Sequence, residues 1–183
     1  QQCNNSYVKM DLHTGSHIDA PLHFMDASDA VDALDPAEML GDCFVADMSG
    51  KDAKDIGPEH LASLPVPGNI KKILFKTKDE TGYACGQKEF VEDYKALTSE
   101  GARGLVNAGF DLIGTDASSV ESFDGNGSVH RLFLDNGIIV VEGLDLSVVG
   151  QGVDELICLP MKIRGAEACL IQKKKKTKSG EKK

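Results

Sequence analysis

Residues 13–23 read HTGSHIDAPLH, which sets His13, His17, Asp19 and His23 within eleven residues. Neutral imidazoles with a carboxylate are the ligand set favoured by zinc, and by manganese or iron. Gly15 and Pro21 interrupt any single helix across the stretch. In an extended chain alternate residues share a face, and 13, 17, 19 and 23 are all odd. At about 3.3 Å per residue His17 and Asp19 lie roughly 6.6 Å apart, close enough to clasp one ion. His13 and His17 would span about 13 Å, too far for one ion, so the chain must bend between them. Gly15 is the residue that permits the bend. Histidines and an aspartate clustered in this way mark a metal or catalytic site.

Outward from this motif the chain reads as one α/β domain without internal repeats. Short runs rich in Val, Ile and Leu predict strands at Cys43–Met48, Ile70–Thr77, Phe110–Asp116, Ile138–Glu142, Glu155–Ile163 and Ala166–Gln172. Tyr7, Val8, Met10 and Leu12 lead into His13 and are expected to form a further strand that positions the first ligand. Helical signals fall between the runs. Pro58 opens a helix to Leu64, Gln87–Leu97 carries Phe90, Val91 and Tyr94 at helical spacing, and Ser99–Ala108 ends at Gly109. Gly165 makes the turn of a closing hairpin. Strands alternating with helices predict a mixed sheet flanked by helices.

Composition narrows the partners. The chain has 183 residues, 41% of them hydrophobic, which suffices for one domain with a sizeable core. No apolar run approaches the roughly 18 residues needed to span a membrane. Between Lys173 and Lys183 stand seven lysines and one glutamate; without them 13 basic and 28 acidic residues remain, a charge near −15 against −9 for the whole chain. An acidic body is a poor nucleic-acid surface, because phosphate contacts need a basic patch. The lysine tail is expected to be a solvated, dispensable end. Five scattered cysteines (Cys3, Cys43, Cys85, Cys158, Cys169) without a CxxC pair suit reduced thiols, and so a cytoplasmic protein, better than a disulfide framework.

The motif resembles the signature of the cyclase family, H-x-G-[TSA]-H-x-D-x-P-x-H, which His13, Gly15, Ser16, His17, Asp19, Pro21 and His23 meet at every fixed position. That family includes bacterial kynurenine formamidases and isatin hydrolases. The likeness runs from Cys3 to about Gln172 and takes in GTDASSVE and the closing CLPMKIRGAEACLI. It implies a domain over residues 1–172 with the swivelling β/β/α fold, and residues 173–183 as a tail beyond it. Relatives carry several tens of residues before the motif, against twelve here, so the N-terminal part of the family domain, with part of the pocket wall, is expected to be missing. The resemblance further implies one or two divalent ions, zinc or manganese. His13, His17 and Asp19 would hold the first, and Asp19 would bridge to a second completed by a distant histidine and glutamate. His23 would be the acid/base. A homodimer or homotetramer is also implied.

The distant pair can be sought in the residues. His130 is the only histidine after His60, and Glu142 follows it by twelve positions, the separation of the family's second metal pair. A hairpin at Asn136-Gly137 would set the two on opposite faces. A short helix from Ser128, as N-cap, to Leu134, stopped by Gly137 and followed by a strand to Glu142, lets them converge. Asp116 and Ser119 match the family's G-x-D-x-x-S stretch, in a strand-end loop of the kind that builds sites in α/β sheets. They could equally satisfy turn backbone groups. His60 reads as a surface residue. The expected activity is metal-dependent hydrolysis of a small aromatic amide, as in N-formylkynurenine to kynurenine and formate. Ring opening of a cyclic amide such as isatin, and metal binding without turnover, are the alternatives.

Overall fold

Side chains alternate along β2 (Leu40–Asp47): Cys43 and Val45 enter one buried cluster, Phe44 and Ala46 another. Strands β3 (Lys72–Lys76), β4 (Leu112–Thr115) and β5 (Ile139–Glu142) repeat the pattern. Leu74, Leu112, Ile139 and Val141 join the first cluster; Ile73, Phe75, Ile113 and Val140 join the second. A sheet apolar on both faces needs a cover on each. Helices supply one, and the sheet supplies the other by closing on itself.

The computed structural model describes residues 3–50, 54–78 and 91–175. Among them seven strands, including β1 (His17–Asp19), β6 (Gly152–Pro160) and β7 (Ala168–Lys175), run in the order β1-β5-β4-β3-β2-β6-β7, and β7 pairs back onto β1. The mixed sheet is thus a closed barrel. Its three parallel ladders, β2–β3, β3–β4 and β4–β5, are each connected, among the described residues, through one helix: α1 (Pro58–Ala62), α2 (Ser99–Ala108) and α3 (Ser128–Asp135). That is the connection a parallel pair demands. The helices lay Ala102, Leu105, Val129, Phe133 and Leu134 onto the second cluster, so the first cluster, with Ile18, Cys43, Cys158 and Cys169, fills the barrel. These three cysteines are buried. No helix among the described residues is long and apolar enough to cross a membrane.

The six predicted strand runs correspond to β2 through β7, with ends shifted by a few residues. α2 ends as read, at Gly109 with φ of 73°. α3 is present and no hairpin forms at Asn136-Gly137, but the N-cap is Gly127 rather than Ser128. Three expectations are corrected. Residues 7–12 form no strand, and Tyr7 and Val8 are 94% and 78% exposed. The bend at Gly15 turns the chain off the line of β1 before it reaches these residues, so their alternation is not laid on the sheet. The described part of Gln87–Leu97 is not helical either. Ala96 and Leu97 lend their backbone groups to Ile56 and Val120, which an α-helix would have claimed. Finally, β7 continues to Lys175, three residues into the lysine tail, because main-chain pairing with β6 (Leu156↔Lys175) asks nothing of the side chain. Cys85, residues 87–90 and residues 176–183 lie outside the described residues.

Candidate metal centre

Ile18 points into the barrel, so its neighbours His17 and Asp19 face outward, under α3. Val141 also points inward, and Glu142 beside it faces out. In the antiparallel β1–β5 ladder His17 stands directly opposite Glu142, on the same face. His130 reaches this face from the first turn of α3, whose Val129 and Phe133 are anchored in the outer core. The bend predicted at Gly15 is present, with φ of 69°, and it folds His13 back over β1.

Five side chains converge. His13, His17 and Asp19 form one group, and Asp19, His130 and Glu142 a second, each able to offer ligand atoms lying within 4.8 Å of one another. Asp19 belongs to both, and its two oxygens divide the work. Oδ1 lies 3.2 Å from His13 Nδ1 and 3.6 Å from His17 Nε2, while Oδ2 lies 3.9 Å from His130 Nε2. Glu142 closes the ring, with Oε2 at 3.5 Å from His17 Nε2 and Oε1 at 3.0 Å from His130 Nε2.

The test of whether a cation fits is the state of the buried polar atoms. Asp19 is 1% exposed, and neither of its oxygens, nor His17 Nε2, has a hydrogen-bond partner. An unsatisfied buried polar group costs about 1–3 kcal/mol, more when charged. Three such atoms gathered in one buried cluster fit missing positive charge. The ring nitrogens that face away tell the same story, because each meets an acceptor. His17 Nδ1 donates to the Gly15 carbonyl at 2.9 Å, His130 Nδ1 to Glu121 Oε2 at 3.1 Å, and His13 Nε2 lies 3.8 Å from Glu167 Oε1. Outer acceptors of this kind fix the tautomer of a metal-ligating histidine and leave the other nitrogen's lone pair for the ion.

Electrostatics in the ion-free cluster follow from the same contacts. Burial pushes the Glu142 carboxyl up, but the hydrogen bond with His130 and the His17 ring 3.5 Å away hold it well below the usual carboxylate range. Burial disfavours the His130 cation, yet Glu142, Glu121 and Asp19 raise its pKa to about 9. His23 differs. Burial lowers its pKa and, although Asp19 opposes, His13 and His130 add to the fall. Its ring lies beside the cluster, with its centroid 4.2 Å from that of His13 and 6.4 Å from that of His130, and it belongs to neither ligand group. The turn Pro21–His23 places it there, and the Phe24 ring packs against both His23 (4.4 Å) and His130 (4.8 Å).

Of the remaining sequence candidates, Ser119 is at the cluster, its Oγ 3.3 Å from His130 Nε2. The Asp116 carboxylate instead accepts from the Thr77 and Lys78 backbone. His60 is held in α1, where its Nδ1 accepts from the Gly57 N–H, away from the cluster. Sequence reading passed over Glu121 and Glu167. The first lies inside the GTDASSVES stretch and the second inside CLPMKIRGAEACLI, but neither has a spacing that marks it.

Gly143 locks the two halves together. With φ of 63°, it packs so closely on the Gly15 carbonyl that a Cβ there would overlap the oxygen, and its own carbonyl accepts from Ser16 Oγ at 2.7 Å. Gly143→Ala is therefore expected to displace either the Gly15–Ser16 bend or Glu142. The expected cost is about 1–3 kcal/mol for the backbone conformation alone, read as a lower melting temperature together with weaker metal binding. A variant as stable as wild type would show that the two segments do not constrain each other.

The Cyclase family model, described as "Putative cyclase", matches residues 2–122. "Cyclase-like protein 3" of rice (Oryza sativa subsp. japonica) is 36% identical over 177 residues, covering 93% of this chain and 65% of its own length, so the chain spans less than two thirds of that relative. A kynurenine formamidase of Salinibacter ruber is 34% identical over 170 residues, covering 92% of this chain and 78% of the relative. Among solved structures, one titled as a potential metal-dependent hydrolase with cyclase activity superimposes with a TM-score of 0.80 at 27% identity, covering 90% of this chain and 79% of that one.

Proposed function

The chain belongs to the cyclase family, and from that premise we propose that it is a metal-dependent hydrolase cleaving the C–N bond of a small aromatic amide, with N-formylkynurenine as the substrate. One observation carries the reading: a buried aspartate whose two unpartnered oxygens face two different sets of ligand atoms. His13 Nδ1, His17 Nε2 and Asp19 Oδ1 would hold one divalent ion; Asp19 Oδ2, His130 Nε2 and Glu142 would hold a second. Imidazole and carboxylate donors suit zinc or manganese. Bound there, such ions polarise an amide carbonyl and bring the pKa of a water near neutrality.

The chain's own residues supply the rest. His23, kept largely neutral by burial, accepts a proton on an imidazole nitrogen and returns it to the departing amine. Phe24, packed on both His23 and His130, offers an aromatic wall beside the reacting carbonyl. Val120 N–H holds Glu142 Oε1 at 2.8 Å, and Gly15 carbonyl holds the His17 ring, so the ligands are oriented before substrate arrives.

A second reading, metal binding without turnover, draws on the likeness to a plant protein named only as cyclase-like. Both are decided by purified protein loaded with zinc or with manganese and offered N-formylkynurenine, simple formyl-anilides and isatin. Release of formate from the formyl substrates is the expected result. Opening of isatin alone would move the substrate to cyclic amides, and full metal content with no hydrolysis would favour the second reading.

A further inference from the structure

We propose that Glu121 is the positioning residue for the second metal position, holding His130 in one tautomer and one orientation while it closes the N-terminus of α3. The proposal rests on the binuclear reading above and names a residue outside the ligand set. Glu121 is 6% exposed, and its carboxylate is surrounded by donors. Oε1 accepts from the Gly127 and Ser128 N–H groups at 2.9 and 3.1 Å. Oε2 accepts from the Val129 and His130 N–H groups at 3.0 and 3.4 Å, and from His130 Nδ1 at 3.1 Å. Every neighbour is a donor, so the group must be an acceptor at both oxygens, which only the ionised carboxylate provides.

Two consequences follow from one side chain. The first N–H groups of a helix have no partner within it, and Gly127 offers no side chain to supply one, so Glu121 takes the place of the N-cap. The same carboxylate obliges His130 to carry its proton on Nδ1. That leaves Nε2, 3.0 Å from Glu142 Oε1 and 3.9 Å from Asp19 Oδ2, as the nitrogen that meets a cation. Helix placement and ligand orientation are therefore fixed by one group. The loop between them is shaped to allow it: a Cβ at Gly125 would stand about 2.5 Å from the Glu121 side chain.

Glu121→Gln keeps the size of the side chain but turns an N–H₂ toward N–H donors. Losing an outer partner of a ligating histidine typically costs about 10–100-fold in metal affinity. In chelator competition the variant should bind its second equivalent of zinc weaker by about that factor, with the first equivalent unchanged. Asn126→Ala is the control for a purely structural role. It removes the acceptor that Asn126 Oδ1 offers to Ser128 N–H at 3.1 Å without touching His130, and should lower the melting temperature while leaving both zinc affinities as they were. Should the two variants weaken the second zinc equally, or Glu121→Gln bind both equivalents like wild type, Glu121 has no positioning role. A wild type that takes up one equivalent only would sink the binuclear reading together with this proposal. Imidazole nitrogen NMR of the zinc-loaded wild type needs no variant. His130 protonated at Nδ1 is the expected signal, and protonation at Nε2 would overturn the assignment.

Discussion

Asp19→Ala is expected to empty both metal positions at once, whereas His13→Ala or Glu142→Ala should each weaken one position more than the other. Asp19 is the only residue shared by the two ligand groups among the described residues, and each of its oxygens serves a different one. Removing it takes one ligand of three from both sets and the central negative charge from between them. Lewis-acid activation contributes several kcal/mol to hydrolysis, and each 1.36 kcal/mol is tenfold in rate. Turnover should therefore fall by about 10³-fold or more, in parallel with metal content measured by elemental analysis. Asp19→Asn refines the point. Its single carbonyl oxygen can serve one position and its amide nitrogen can serve neither, so no more than one equivalent should remain. Two equivalents in either variant would mean that the carboxylate does not bridge.

His23→Ala is expected to separate binding from chemistry. Its ring lies against His13 but outside both ligand groups, so metal content should match wild type. A group that only transfers a proton typically supplies about 10²–10⁴-fold in rate. The fall should appear in kcat, with KM little changed, since the Phe24 wall is left in place. Wild-type kcat would remove His23 from the mechanism, and loss of metal would reassign it as a ligand.

How much of this was legible in the sequence differs from one part to the next. The shared face of His17 and Asp19 and the bend at Gly15 follow from local geometry, and the structure reproduces both, whereas His13 arrives through the bend and His23 through the turn Pro21–His23 rather than through strand parity. The strands were visible because Val, Ile and Leu runs report burial on two faces. Closure into a barrel was not, since β7 choosing β1 as its partner is a long-range decision that leaves no local mark. The same holds for the register that sets His17 against Glu142. Rejecting the Asn136-Gly137 hairpin in favour of α3 put His130 and Glu142 on a converging course, but family resemblance rather than spacing paired them. Glu121 and Glu167 were missed because an outer acceptor needs only a carboxylate in reach, and 29 acidic residues offer many. The misread segment at residues 7–12 shows the converse, an alternating pattern that the bend at Gly15 carries off the strand line.

Anomalous diffraction from crystals of the zinc- or manganese-loaded protein would reveal a two-ion site bridged by Asp19. Two peaks should flank the Asp19 carboxylate, about 3.5–4 Å apart as in other two-metal hydrolases, one beside His13 and His17 and the other beside His130 and Glu142. A single peak touching only one of these sets, or peaks away from Asp19, would contradict it.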